Sequence, residues 1–370
     1  MVMHNSNISN QNTTNQTDLH SWLLLYFTPK IGPVTMLKLL HHFGSAKNIL
    51  EQDSHTLSQF INPAIAKLIK DRASEPAVVK ALDWQYQDPS NYLITLEDLR
   101  YPKELKQMID PPLVLFAKGQ INLLDNPKFA IVGTRHNTPQ GAANAHSFAC
   151  NLANNGLTIV SGMAYGIDRY AHMGALKGKA STIGVIGTGI DIRYPKSNND
   201  LYIEVAKNGL ILSELALNTQ PLGSNFPRRN RIVAGLSLGC LVVESTLDGG
   251  SLITANLALE MGREVMAIPG SIHNPVSVGC HKLIKTGAKL IENTNDILDE
   301  LPIANKQLAK KNVTTTHPIL DIIGYDAVEI DKICTRLDTS FADICPQLLE
   351  LELDGQIVNC GSGRYQRIFK

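Results

Sequence analysis

Between Pro127 and Leu301 the chain repeats one pattern seven times: a short, mostly β-branched run that stops at a glycine or a polar residue, followed by a stretch long enough for a helix. The runs are FAIVG (129–133), LTIVSG (157–162), TIGVIG (182–187), LILSE (210–214), GCLVVES (239–245), EVMAIPG (264–270) and AKLIE (288–292). They are apolar almost without a break rather than alternating, as expected of strands buried on both faces. Strands of this kind separated by helices admit few folds, because parallel neighbours need a crossover and a helix is the usual one. The pattern predicts an α/β fold: a doubly wound, mostly parallel Rossmann-like domain over 119–301.

The flanks read differently. Residues 18–118 place apolar residues at helical spacing in LHSWLLLYF and VTMLKLLHHF, with IGPV and FGS as turns, so a helical domain of SAM-like or helix-hairpin-helix-like kind is expected. His41 and His42 are expected at a helix surface, not as ligands. Residues 1–17, rich in Asn, Ser and Thr, have neither the cationic start nor the apolar run of a signal peptide and read as a disordered tail. A polar linker follows at 302–316, then three short helices and a Gly-tipped hairpin over 317–370, the outline of a winged helix.

The 34 basic and 34 acidic side chains cancel, so a polyanion would have to be held by a local cluster rather than by a global field. Six cysteines stand far apart with no C-x-x-C and no zinc spacing, which reads as reduced thiols in a cytoplasmic protein without a metal. No apolar run approaches the roughly 18 residues of a membrane-crossing helix.

In an open parallel sheet, ligands bind outside the carboxyl ends of the strands, where loops lead into helix N-termini. Glycines and polar residues collect in those loops, among them Ser161 and Gly162 of SGMAYGID and Gly249, Gly250 and Ser251 of DGGSLIT. Glycines admit close backbone approach and helix-opening amides bind anions, so this rim suits phosphates. Neither G-x-x-x-x-G-K-[ST] nor G-x-G-x-x-G occurs, and no nucleotide cofactor is expected. Arg135, Lys196, Arg228, Arg229 and Arg231 all fall near strand ends and are expected to converge on one trough, with Asn230 between the arginines. The competing reading makes an arginine a structural bridge to Asp168, Glu214 or Glu244.

Two motifs are decoys. GLSLG (235–239) matches the nucleophile elbow, but a helix pattern precedes Ser237 and a strand follows it, the reverse of what an elbow needs. Asp168 and His172 stand four apart and are expected to form a hydrogen-bonded pair on a helix surface, not a proton relay.

The motifs IVGTR, SGMAYGID, GVIGTGIDIRYPKSN, GLILSE, FPRRNRIVAGLS, GGSLITA, GREV and AIPG, in this order over 127–300, resemble the DNA-processing protein A family (DprA, also called Smf). GSGRYQR (361–367) is similar to the GGRY that ends many of its winged helices. The resemblance implies a cytoplasmic protein without enzymatic activity that binds single-stranded DNA during natural transformation, protects it, and helps the recombinase RecA to load, acting as a homodimer. Carried over, Arg135, Lys196 and Arg228 to Arg231 fall on the family's DNA-binding pocket, and Gly249, Gly250 and Ser251 on its neighbouring loop. Gly249 stands where the family commonly has serine, and His281 where it more often has asparagine.

Two other functions compete. A nucleotide or nucleoside-phosphate hydrolase could use a similar fold, but the P-G-G-x-G-T-x-x-E motif of that group is missing. A duplex-reading regulator would use the winged helix, yet its third helix, SFADICPQLLELELDG, is acidic where a recognition helix should be basic, which points to a protein contact.

Overall fold

The computed structural model describes residues 18–301, 318–323 and 326–368; the expected tail (1–17) and linker (302–316) lie outside them. Six helices come first: α1 (18–27), α2 (Pro33–Phe43), α3 (Ala46–Glu51), α4 (Ser54–Ser58), α5 (Pro63–Lys70) and α6 (Glu75–Gln87). Their starts are written locally. Ser45, Asp53 and Asn62 each accept an N–H of the first turn, and prolines open α2 and α5 where no amide is needed. His41 and His42 are exposed near the end of α2.

The segment after α6 departs from expectation. It forms strands β1 (Asn91–Thr95) and β2 (Val114–Gly119), joined by a passage containing the one-turn helix α7 (Lys103–Lys106), where a helical domain had been read through residue 118. Both strands are largely buried, so NYLIT and VLFAKG lack the alternation that marks a half-exposed strand, and an unbroken apolar run does not separate strand from buried helix. The turn residues Asp88-Pro89-Ser90 and Pro111-Pro112 were the available signal.

All seven expected runs form strands: β3 (Lys128–Val132), β4 (Thr158–Ser161), β5 (Thr182–Val185), β6 (Leu210–Ser213), β7 (Gly239–Val242), β8 (Glu264–Ala267) and β9 (Lys289–Leu290). The helices α8 (Pro139–Asn154), α9 (Ile167–Ala175), α10 (Asn199–Asn208), α11 (Asn225–Leu236), α12 (Gly250–Glu260), α13 (Val278–Lys285) and α14 (Thr294–Glu300) alternate with them. The sheet order is β1-β2-β6-β5-β4-β3-β7-β8-β9. From β6 to β9 every pairing is parallel, and β1 and β2 extend the sheet antiparallel. Phe129, Ile131, Ile159, Ile183, Ile211, Leu241 and Met266 are fully buried between the helical layers. Lys128, also buried, donates from Nζ to the carbonyls of Leu124 (2.8 Å) and Asn126 (2.9 Å) and pairs with Glu104 (3.1 Å) at the N-terminal end of the strands.

The chain runs outward from β3 through β4 and β5 to β6, then returns to place β7 on the other side of β3. That reversal leaves a crevice beyond the carboxyl ends of β3 and β7, since their following connections part to opposite faces.

The C-terminal segment has its own core of Ile319, Leu320, Ile323, Ile333, Ile344, Leu348, Leu351 and Ile357. Its helices α15 (Pro318–Ile323), α16 (Ile330–Leu337) and α17 (Phe341–Leu353) precede the hairpin of β11 (Ile357–Asn359) and β12 (Arg364–Arg367). A short strand, β10 (Val328–Glu329), pairs with β12 and completes the winged-helix sheet. Among the described residues no helix is long and apolar enough to cross a membrane, and no group of His, Cys, Asp and Glu could hold a metal.

Candidate functional site

Helix α11 decides where the arginines go. Successive helical residues turn by about 100°, so Arg228 and Arg231 share one side while Arg229 points elsewhere. Arg228 Nε lies 3.3 Å from Glu214 Oε1 just beyond β6, and Arg231 Nη2 donates to Glu214 Oε2. Arg231 also reaches Asp110, with Nη1 donating to the carbonyl (2.6 Å) and Nε 3.3 Å from the carboxylate. The Tyr26 hydroxyl donates to the Glu214 carbonyl (2.8 Å), so this clamp joins α1, the passage before β2 and the sheet. Glu214 and Arg231 are buried, while the Arg228 side chain is 55% exposed. Burial pushes the Glu214 carboxyl above its ordinary range, and the two arginines pull it back. The expected convergence of all three arginines is therefore corrected: Arg228 and Arg231 face Glu214, as the bridging alternative had it.

Arg229 goes the other way, with Phe226, Asn230 and Val233 on the side of α11 that lines the crevice. Its Nη1 donates to the carbonyls of Gly162 and Val185, and its Nε to Asn230 Oδ1 at 3.0 Å. Asp168, in the first turn of α9, accepts from the amides of Gly162 (3.2 Å) and Ala164 (3.3 Å). A Cβ on Gly162 would sit 2.7 Å from both Arg229 Nη2 and Asp168 Oδ2, so only glycine lets these two charged groups close on the backbone. Burial lowers Arg229 to about 10, which leaves it charged at neutral pH, and burial raises the Asp168 carboxyl against the pull of Arg229.

The crevice is a cleft of about 400 Å³ lined by the loop after β3, Gly162, Asp168, α11 and the start of α12. Arg135 stands exposed on its wall, near enough to Arg229 to disfavour that residue's charge. Helix α12 opens at Gly249 with no side-chain cap, so the first-turn amides of Gly250 and Ser251 have no intrahelical partner. Beside the cleft is a smaller pocket holding Arg135, Gly162, Tyr165, Tyr194, Phe226 and Arg229, where the Tyr194 and Phe226 rings lie 5.6 Å apart at 35°. Lys196, two residues beyond Tyr194, is exposed and lines neither cavity. Neither Arg135 nor Lys196 meets a carboxylate at ion-pair distance among the described residues.

Of the expected residues, the structure thus brings Arg135, Gly162, Arg229, Asn230, Gly249, Gly250 and Ser251 to one cleft. The two serines spend their hydroxyls inside: Ser161 donates to the Ile131 carbonyl (2.6 Å) and Ser251 to Ser245 Oγ (2.8 Å). His136 and Thr254 line the cleft and were not expected. Helical spacing was a signal for Thr254, four residues after Gly250.

Ser237 is the C-cap of α11 and donates to the Val233 carbonyl (2.8 Å), so GLSLG is no elbow. Asp168 and His172 do not form the expected surface pair. Both are buried, and His172 Nδ1 meets Thr182 Oγ1 at 2.7 Å instead, because α9 turns that side against the sheet. Burial, aided by Arg229, pushes His172 down to about 3. Glu244 accepts from the Thr138 amide (2.9 Å) and hydroxyl (2.5 Å) at the start of α8 and pairs with no arginine among the described residues. His281 contacts the Gly270 carbonyl at 3.0 Å.

The family model described as DNA recombination-mediator protein A matches residues 92–302, and that of the DprA winged helix domain matches 307–363. Protein Smf of Escherichia coli K12 is 35% identical over 363 residues, covering 94% of this chain and 95% of Smf. DNA processing protein DprA of Streptococcus pneumoniae R6 is 48% identical over 200 residues, 54% of this chain and 71% of that protein. The X-ray structure of DprA from S. pneumoniae superposes with a TM-score of 0.68 at 38% identity, covering 76% of this chain and 96% of that one. DNA processing protein A from Helicobacter pylori, whose structure is described as giving insight into a unique single-stranded DNA binding mode, superposes with a TM-score of 0.52 at 35% identity, over 56% and 94% of the respective chains.

Proposed function

The chain belongs to the DNA recombination-mediator protein A family, and from that premise we propose that its cleft holds single-stranded DNA. The observation that carries this reading is the meeting, at one sheet reversal, of exposed Arg135, the buried charge of Arg229, the uncapped start of α12 and the Tyr194–Phe226 pair. Phosphates bind to Arg135 and the α12 amides, with Lys196 taking the chain as it leaves, and bases lie against the aromatic rings. Arg229 supplies fixed positive potential from below. The strand so held is protected and presented for RecA loading in natural transformation, by a homodimer in the cytoplasm, without catalysis.

The test is a titration of unlabelled protein against labelled single-stranded and duplex DNA across a salt series. Preference for the single strand with affinity falling as salt rises is expected. Preference for duplex would overturn the reading, and release of free base from nucleoside monophosphates would favour the hydrolase alternative.

A further inference from the structure

Helix α17 occupies the place of a recognition helix, yet its outer face is built for something other than DNA. Ala342, Pro346, Leu349 and Leu353 are all exposed, with Leu349 at 57% and Leu353 at 80%. Their spacing of four, three and four residues is that of the a and d positions of a coiled-coil seam, so they form one stripe along the helix. The opposite face, Ile344, Leu348 and Leu351, is already committed to the winged-helix core. The seam is therefore surplus to folding.

Its borders are acidic. Asp343 and Glu350 follow the seam residues on one flank, Glu352 stands on the other, and from Phe341 to Asp354 there is no Lys or Arg. A phosphate backbone would be repelled by this face. A second copy of the same face would set carboxylate against carboxylate.

We propose that α17 docks a helix of another protein that carries its own apolar seam flanked by Lys or Arg. The seam supplies the contact area, and the Asp343, Glu350 and Glu352 carboxylates select the basic partner. The winged helix is then a recruiting module rather than a reader of duplex DNA. This surface is separate from the cleft, and the proposal stands whether or not the cleft binds single strands.

The experiment uses the full chain and two labelled, blocked helical peptides with leucine at every a and d position, one with lysine and one with glutamate at every e and g position. Binding of the lysine peptide, weakening with salt, and no binding of the glutamate peptide at the same concentration are expected. Leu353→Glu should weaken the lysine peptide by about tenfold or more, as loss of an apolar anchor does, without change in the thermal midpoint, because that side chain is 80% exposed. Equal binding of the two peptides, or an unaffected Leu353→Glu variant, would overturn the proposal. So would binding of duplex DNA that Leu353→Glu abolishes, or a fall in the mass of the chain alone on Leu353→Glu, which would identify DNA or a second copy as the occupant.

Discussion

Replacing Arg231 separates the two uses of arginine in α11. In Arg231→Ala the Glu214 carboxylate stays buried, with only the half-exposed Arg228 at 3.3 Å in place of two guanidinium partners. Asp110 loses its tie to α11 at the same time. Breaking a buried pair by removing one partner costs about 3–5 kcal/mol, and for a folded body of this size each kcal/mol moves the midpoint by roughly 2–4 °C. A fall on the order of 10 °C in a thermal melt is expected. The salt dependence of single-strand affinity should not change, because Arg231 faces Glu214 and not the cleft. Replacing both partners by apolar groups, Arg231→Met with Glu214→Leu, should recover most of the loss. The deficit of Arg231→Ala should also shrink toward acid pH. Burial already raises Glu214, so the folded state takes up its proton at higher pH than the unfolded chain, and losing the arginine widens that window. An unchanged midpoint together with a shallower salt slope would refute the reasoning and return Arg231 to the DNA.

Arg135→Ala should do the reverse: a melt within about 0.5 kcal/mol of the parent and a salt slope for single strands lower by about 0.7, one phosphate contact; an unaltered slope would remove Arg135 from the interface. Gly162→Ala places a methyl 2.7 Å from Arg229 Nη2 and from Asp168 Oδ2, and it should lower stability by about 1–3 kcal/mol and weaken strand binding together, as read by melts and titration. His172, buried and held down to about 3, stays neutral in the fold while the unfolded chain protonates it near its ordinary value. Its contribution is present above about pH 6.5 and lost as pH falls toward 3. His172→Asn should flatten the acid side of a stability-versus-pH profile, and an identical profile would show that another group governs it.

Much of this molecule was legible in its residues, for reasons tied to short range. The seven strands from β3 to β9 announced themselves because a run buried on both faces needs apolar, β-branched side chains whatever surrounds it. The rim followed from topology, as loops after parallel strands share an edge. What the residues left undecided was direction and company. Arg228, Arg229 and Arg231 are neighbours in sequence, but the helical turn sends two of them to a carboxylate just beyond β6 and one to carbonyls just beyond β4 and at the end of β5. β1 and β2 passed for helix because their burial depends on distant partners, β2 on β6 across nearly a hundred residues. His172 and Asp168 looked like surface groups until packing of α9 against the sheet enclosed them. Residue type fixes what a side chain can bond to over any distance, whereas which bond it makes depends on contacts that exist only once the chain has closed on itself.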